Sequence, residues 1–124
     1  MSEKDQRIQT GKFGEDAACD YLIEADYKIV ERNWRCRSGE IDIIADDAGR
    51  LVFIEVRTRK TGGRFGTAAE SVDRRKQQQV RDTAQVYLRS IGCSAESIRF
   101  DVIAITMSRQ MDSILEYKHY EGAF

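Results

Sequence analysis

An α/β layered domain is the fold this sequence predicts, and three observations predict it. Apolar residues recur at helical spacing over two stretches, about residues 5–25 and 68–91. Between them lie three strand-like runs, about 27–37, 40–45 and 50–58. A further apolar run, "IRFDVIAITM" at 98–107, follows the second helix, and "SILEYKHY" at 113–120 has the character of an edge strand. The order is αβββαββ, that of an α/β layered domain.

Each element has its own warrant. In the first helix Phe13, Ala17 and Tyr21, with Ala18, Leu22 and Ala25, repeat at three- and four-residue spacing and mark the core face. Glu15 sits one turn before Ala18 and Cys19, on the margin of that stripe, where an acid can look into a cleft. The joints between the first three strands, "RSGE" at 37–40 and "DDAG" at 46–49, are rich in turn-forming residues, so these strands form a meander. The second helix follows a glycine-rich loop, "TGGRFGTA". It presents Val72, Lys76, Gln79, Val80, Thr83, Ala84, Tyr87 and Ile91 on one side, so its polar start and its apolar end share a face.

Composition excludes several classes. At 124 residues the chain is expected to be one domain, large enough to bury roughly two-thirds of its unfolded surface. With 41% hydrophobic and 33% charged residues it is neither disordered nor membrane-like in character. No apolar run of about 18 residues occurs, and "MSEKDQRIQTGK" lacks the apolar centre of a secretory signal, so a cytoplasmic protein without a membrane partner is expected. Cys19, Cys36 and Cys93 are odd in number and form no CxxC pair, which argues against a disulfide framework or a zinc site; they read as small core residues. The one histidine, His119, reads as a surface residue.

The chemistry is concentrated in "LVFIEVRTRK" at 51–60. Side chains alternate along a strand, so Leu51, Phe53, Glu55 and Arg57 share one face of an otherwise apolar run. A buried carboxylate is costly unless something pairs with it. On the preceding strand Asp42 supplies a second acid. If "DDAG" is a four-residue loop, Asp42 falls opposite Phe53 and diagonal to Glu55; if the loop is Ala48 and Gly49 alone, Asp42 faces Glu55 directly; a three-residue loop separates them. Two carboxylates on one face repel unless a proton or a cation lies between them, and oxygen ligands of this kind suit Mg²⁺ or Mn²⁺, which takes phosphate oxygens as further ligands. Arg57 would then stand beside the phosphate. The same spacing is also that of a buried ion pair, and by itself leaves both readings open.

The segment "GEIDIIADDAGRLVFIEVRTR" resembles the signature of the PD-(D/E)XK nuclease superfamily. Together with "GKFGEDAACDYL", "ERNWRCRSGEIDIIA", "FGTAAESVDRRKQQQV", "RFDVIAI" and the terminal "GAF", it looks like the YraN-like family of small bacterial proteins. The resemblance covers most of the chain. It implies a restriction endonuclease-like, Holliday junction resolvase-like fold: a three-layer core in αβββαβ order, with a mixed central sheet and here an extra C-terminal edge strand. By position it makes Glu15 the helix acid, and Asp42 and Glu55 the two metal ligands. Arg57 stands where the motif has lysine, and Ile41 where it has proline. Arg57 can orient a phosphate but cannot act as a base. Lys76 and Gln79 match, loosely, positions that face the site in related nucleases.

Net charge is −1, so there is no general attraction to a polyanion. Between residues 57 and 76, however, seven basic residues face two acids, a local excess of +5 that suits phosphate binding. Arg59, Lys60, Arg64, Arg74, Arg75 and Lys76 are the candidates, with a solvated charged surface as the plain alternative. Trp34 and Phe65 could stack on bases, though aromatic residues so placed more often close a core. Arg99 and Asp101 share a strand face and read as a structural pair. Two function classes follow: a divalent-metal-dependent endonuclease or resolvase-like protein acting on nucleic acid, DNA first, or a non-catalytic module binding nucleic acid or protein in a decayed site. The oligomeric state is left open, a homodimer being one option.

Overall fold

The computed structural model describes residues 3–60, 72–93, 97–110 and 113–124, with the side chains of residues 3–11 and 60 outside that description. Helix α1 (Glu3–Glu24) is followed by β1 (Lys28–Cys36), β2 (Gly39–Asp47), β3 (Arg50–Lys60), α2 (Arg74–Ser90), β4 (Ile98–Met107) and β5 (Ile114–Tyr120). The strands form one sheet in the order β1-β2-β3-β4-β5. The sheet is mixed: β3 and β4 run parallel, and every other neighbouring pair is antiparallel. The expected meander and the C-terminal edge strand are both present.

Alternation along β2 and β3 sorts the core onto two faces. Ile43, Ala45, Val52 and Ile54 pack with Ala17, Ala18 and Leu22 of α1. Ile44 and Phe53 pack with Val80, Ala84, Tyr87 and Leu88 of α2. Each fully buried Leu, Ile or Phe contributes roughly 1.5–3 kcal/mol of transfer free energy, so one helix per face is what the two apolar stripes demand. Trp34 closes the second core edge-on against Tyr87, with centroids 5.2 Å apart. Phe65 lies outside the described residues.

Both helices end in the same device. Asp26 (φ 68) and Gly92 (φ 68) take the left-handed conformation just past α1 and α2, and the next residue's N–H bonds back to the last turn, Tyr27 to the Leu22 carbonyl and Cys93 to the Leu88 carbonyl. Helix α2 begins at Arg74, later than its spacing suggests, because the Asp73 carboxylate accepts the Lys76 N–H at 2.8 Å and caps it. Residues 68–71 of the expected helix lie outside the described residues.

Several expectations need correction. Phe13 is exposed, and so are Ala25 and Ile91, where helical periodicity no longer applies because the helices have ended. Cys19 is in the core, but Cys36 is half-buried and Cys93 exposed. The His119 side chain is largely covered, 7% exposed, rather than on the surface: β5 lays it under Tyr21 of α1 and against Asp101. Among the described residues no helix is long and apolar enough to cross a membrane.

Candidate functional site

The β2–β3 hairpin turns on Ala48 (φ 52) and Gly49 (φ 95), a two-residue connection with both residues left-handed. Gly49 N–H is held by the Asp46 carboxylate at 2.7 Å. The four-residue loop is thereby replaced by its two-residue alternative, since such turns match the twist of the strands they join. Asp47 pairs with Arg50 and Ile43 with Ile54, and continuing the register sets Asp42 opposite Glu55 rather than diagonal to it.

At Asp42 and Glu55 side chains take over from the backbone ladder. Asp42 N–H donates to Glu55 Oε2 at 3.3 Å, and Val56 N–H donates to Asp42 Oδ2 at 2.8 Å. Each carboxylate satisfies an amide of the opposite strand. Across β2 the neighbour Asn33, bracketed by the Arg32–Ile43 and Trp34–Ile41 pairs, has φ 51. Ile41 and Ile44, three residues apart on β2, both reach the α2 core, so strict alternation is interrupted between them.

The notch is electrostatically uncomfortable. Glu55 is 2% exposed, and burial first, then the charge of Asp42, push its carboxyl up to about 7; Lys76, the Asp42 amide and Arg57 offset part of this. Asp42 is also raised, chiefly by burial, with Glu40 adding to the rise and the Val56 amide, Arg57 and Lys76 opposing it. On the α1 side Glu15 is raised by burial despite a hydrogen bond from Asn33, and it feels Asp42. Arg32 stands 3.9 Å from Glu15 and 2.6 Å from Asp16.

Glu15 can stand there because Gly14 lets α1 come down onto β3. A Cβ at Gly14 would collide with the Thr58 hydroxyl. Even so, no group of three or more His, Cys, Asp or Glu residues that could hold a metal ion forms among the described residues. The donor set is the facing pair, Asp42 and Glu55, with Glu15 as an outlying charge. A pair fits Mg²⁺ or Mn²⁺ well enough, because these ions commonly take one or two carboxylates and complete their shell with water and phosphate.

Cations line the α2 side. Lys76 Nζ is 3.4 Å from Glu55 Oε1 and 3.5 Å from Gln79 Oε1, and the Gln79 side chain packs against Gly39 (φ 146) in the β1–β2 connection. Arg57, on the Glu55 face of β3, has a buried Nε with no hydrogen-bond partner. Arg59, farther along that face, donates from Nε to Thr106 Oγ1 at 3.2 Å. Arg74 and Arg75 are exposed in the first turn of α2, which carries no acid to balance them. The Lys60 side chain and Arg64 lie outside the described residues. Sequence reasoning missed Asn33, Gly14 and Thr58 as placers of Glu15; the one local signal was an asparagine, a residue that tolerates positive φ, inside a strand.

Comparisons with known proteins agree on one family. The family model described as "Uncharacterised protein family UPF0102" matches residues 14–105. A UPF0102 protein of Moorella thermoacetica is 46% identical over 118 residues, covering 95% of this chain and 97% of the relative. One of Desulforamulus reducens is 46% identical over 120 residues, covering 95% and 97%. One of Frankia casuarinae is 41% identical over 114 residues, covering 92% and 94%. Motif segments and full-length relatives thus converge, and the chain belongs to family UPF0102, the YraN-like family its sequence resembles.

Proposed function

We propose that Asp42 and Glu55 bind one divalent cation, Mg²⁺ or Mn²⁺, and that the site cleaves phosphodiester bonds of nucleic acid, DNA first, in a restriction endonuclease-like frame. The observation that carries this reading is the facing pair itself: a buried and a half-buried acid, both pushed above their ordinary range, stand opposite each other where neutral residues would be more stable. A bound metal would relieve their repulsion and supply positive charge at the reacting phosphate. Arg57, permanently charged and with an unpartnered Nε, is suited to orient that phosphate but not to take a proton. Glu15 adds negative charge beside Asp42, and Arg74 and Arg75 contact phosphates farther along the strand.

Calorimetric titration with Mn²⁺ tests the core of the reading. One site is expected in the intact protein and none in Asp42→Asn; equal binding by the two removes the metal pair. Cleavage is then assayed on linear, branched and single-stranded DNA, with Glu55→Ala as the control for contaminating nuclease. If four basic residues touch phosphates, log affinity for duplex DNA falls with log salt at a slope of about −3.6, and neutralising Arg74 and Arg75 brings it to roughly −1.8.

One observation favours a second reading. Arg57 stands where the motif has lysine. In that reading the site holds nucleic acid or a protein without cutting it, and no variant cleaves at high enzyme and metal concentration.

A further inference from the structure

We infer that Lys76 is a built-in cation of this site, held on Glu55 by α2 and released to a substrate phosphate once a metal ion occupies that carboxylate. The inference rests on the reading of Asp42 and Glu55 as metal ligands. Its starting point is the ion pair between Lys76 Nζ and Glu55 Oε1 at 3.4 Å, which joins a side chain 32% exposed to one 2% exposed. Lys76 therefore straddles the boundary between the buried Glu55 carboxylate and solvent. Among the described residues no other cation lies within 4.0 Å of Glu55.

The two ends of Lys76 are held differently. Its backbone is fixed, because its N–H is the one capped by Asp73 at the start of α2. Its head has only Glu55 and a long, 3.5 Å contact to Gln79 Oε1. Gln79 is itself exposed and packs on one side against Gly39 of the β1–β2 connection. A compact ammonium on a flexible four-carbon stem can leave one anion for another while its backbone stays put. Arg57 is built the other way: its guanidinium is planar and its Nε is buried without a partner. The two cations thus differ in chemistry, Arg57 being a planar guanidinium with an unused buried donor and Lys76 a point charge on a flexible stem. A divalent ion on Glu55 repels an ammonium at that distance, and with the Lys76 side chain 32% exposed the ammonium has solvent to move into, from which a phosphate enters.

The test reads metal affinity, stability and DNA binding, none of which needs turnover. In calorimetric titration of the full chain with Mn²⁺, Lys76→Met is expected to bind at least tenfold tighter than the intact protein. Arg81→Met, which removes an exposed charge from the same helix, stays within twofold. Equal or weaker Mn²⁺ binding by Lys76→Met overturns the inference. Should no protein bind Mn²⁺ at all, the metal reading falls, and with it the release; the pairing is then judged alone. In urea unfolding at pH 8, Lys76→Met is expected to lower the midpoint in the native background and not in Glu55→Gln, whereas additive effects overturn the pairing too. With Mn²⁺ present, the salt slope for a short duplex DNA should shrink by about 0.9 in Lys76→Met, with no change when Mn²⁺ is absent. An equal change in both conditions overturns the release.

Discussion

Two buried acids on neighbouring strands of this sheet meet opposite fates. Asp101 on β4 is fully buried, yet it accepts from Arg99 Nε at 2.8 Å and from the Arg99 terminal nitrogen at 2.9 Å. His119 Nε2 donates to it at 2.6 Å and the Gly122 amide at 3.0 Å. Burial pushes its carboxyl up, but these hydrogen bonds outweigh burial and leave it below the usual range. Glu55 on β3 has one amide and one lysine, faces another carboxylate, and is raised to about 7. The network at Asp101 goes on to engage Tyr27 and Asp47 through Arg99, tying β4 to β2 and to the residue just before β1. Its partners saturate it and leave it no capacity for a ligand. The notch at Asp42 and Glu55 is incomplete by comparison. A carboxylate whose partners are all present holds structure; one whose partners fall short is free to hold something else.

The largest effect should come from breaking the saturated side. Asp101→Ala leaves the half-buried Arg99 guanidinium and His119 without their common partner, a loss of about 3–5 kcal/mol by analogy with broken buried pairs. Urea unfolding at pH 7 reads it, and a loss under 1 kcal/mol would erase the distinction drawn here.

The incomplete side should respond in the opposite direction. Glu55 has a folded pKa of about 7, above its ordinary 4.5, so between these values the folded protein binds more protons than the unfolded chain. Stability therefore falls as pH rises from 4.5 to 7 and stays low above that, by about 3 kcal/mol for the full shift. Without added metal, Glu55→Gln should abolish that fall and be the more stable protein at pH 8. Asp101 acts in a separate window: its lowered pKa gives stability present above about 3.8 and lost on further acidification. Parallel pH profiles for the intact protein and Glu55→Gln between 4.5 and 7 would count against the strain assigned to the notch.

A smaller effect concerns how α1 brings Glu15 to the notch. Gly14→Ala forces a methyl group into the Thr58 hydroxyl and should cost about 1–3 kcal/mol. Thr58→Ala in the same chain removes the obstruction and should recover most of the loss. Thermal melts of the two single variants and the double variant decide it, and a double variant no better than Gly14→Ala alone would mean the contact is not what limits the approach.

The pairing of Arg99 with Asp101 was legible from their shared strand face, but the burial of His119 was not. Its neighbours in sequence, Lys118 and Tyr120, say nothing of Tyr21 and Tyr27, which cover it from elements about 90 residues away. Cys36 and Cys93 misled for a related reason, since residue type carries only an average tendency toward burial.

The sequence by itself determined which residues share a face. Alternation set Glu55 and Arg57 together on β3, and two of the three loop lengths considered brought Asp42 to the same side; helical spacing put Lys76 on the face of α2 that carries Val80 and Tyr87. These are short-range consequences of backbone geometry, repeated every two or every 3.6 residues. Only the tertiary structure decided the register and the distances. Left-handed Ala48 and Gly49 set Asp42 squarely opposite Glu55, the capped start of α2 brought Lys76 to 3.4 Å from it, and the missing side chain of Gly14 let α1 approach Thr58. Contacts of that kind depend on how whole elements pack, a balance summed over the entire core, and no local stretch of sequence contains that sum.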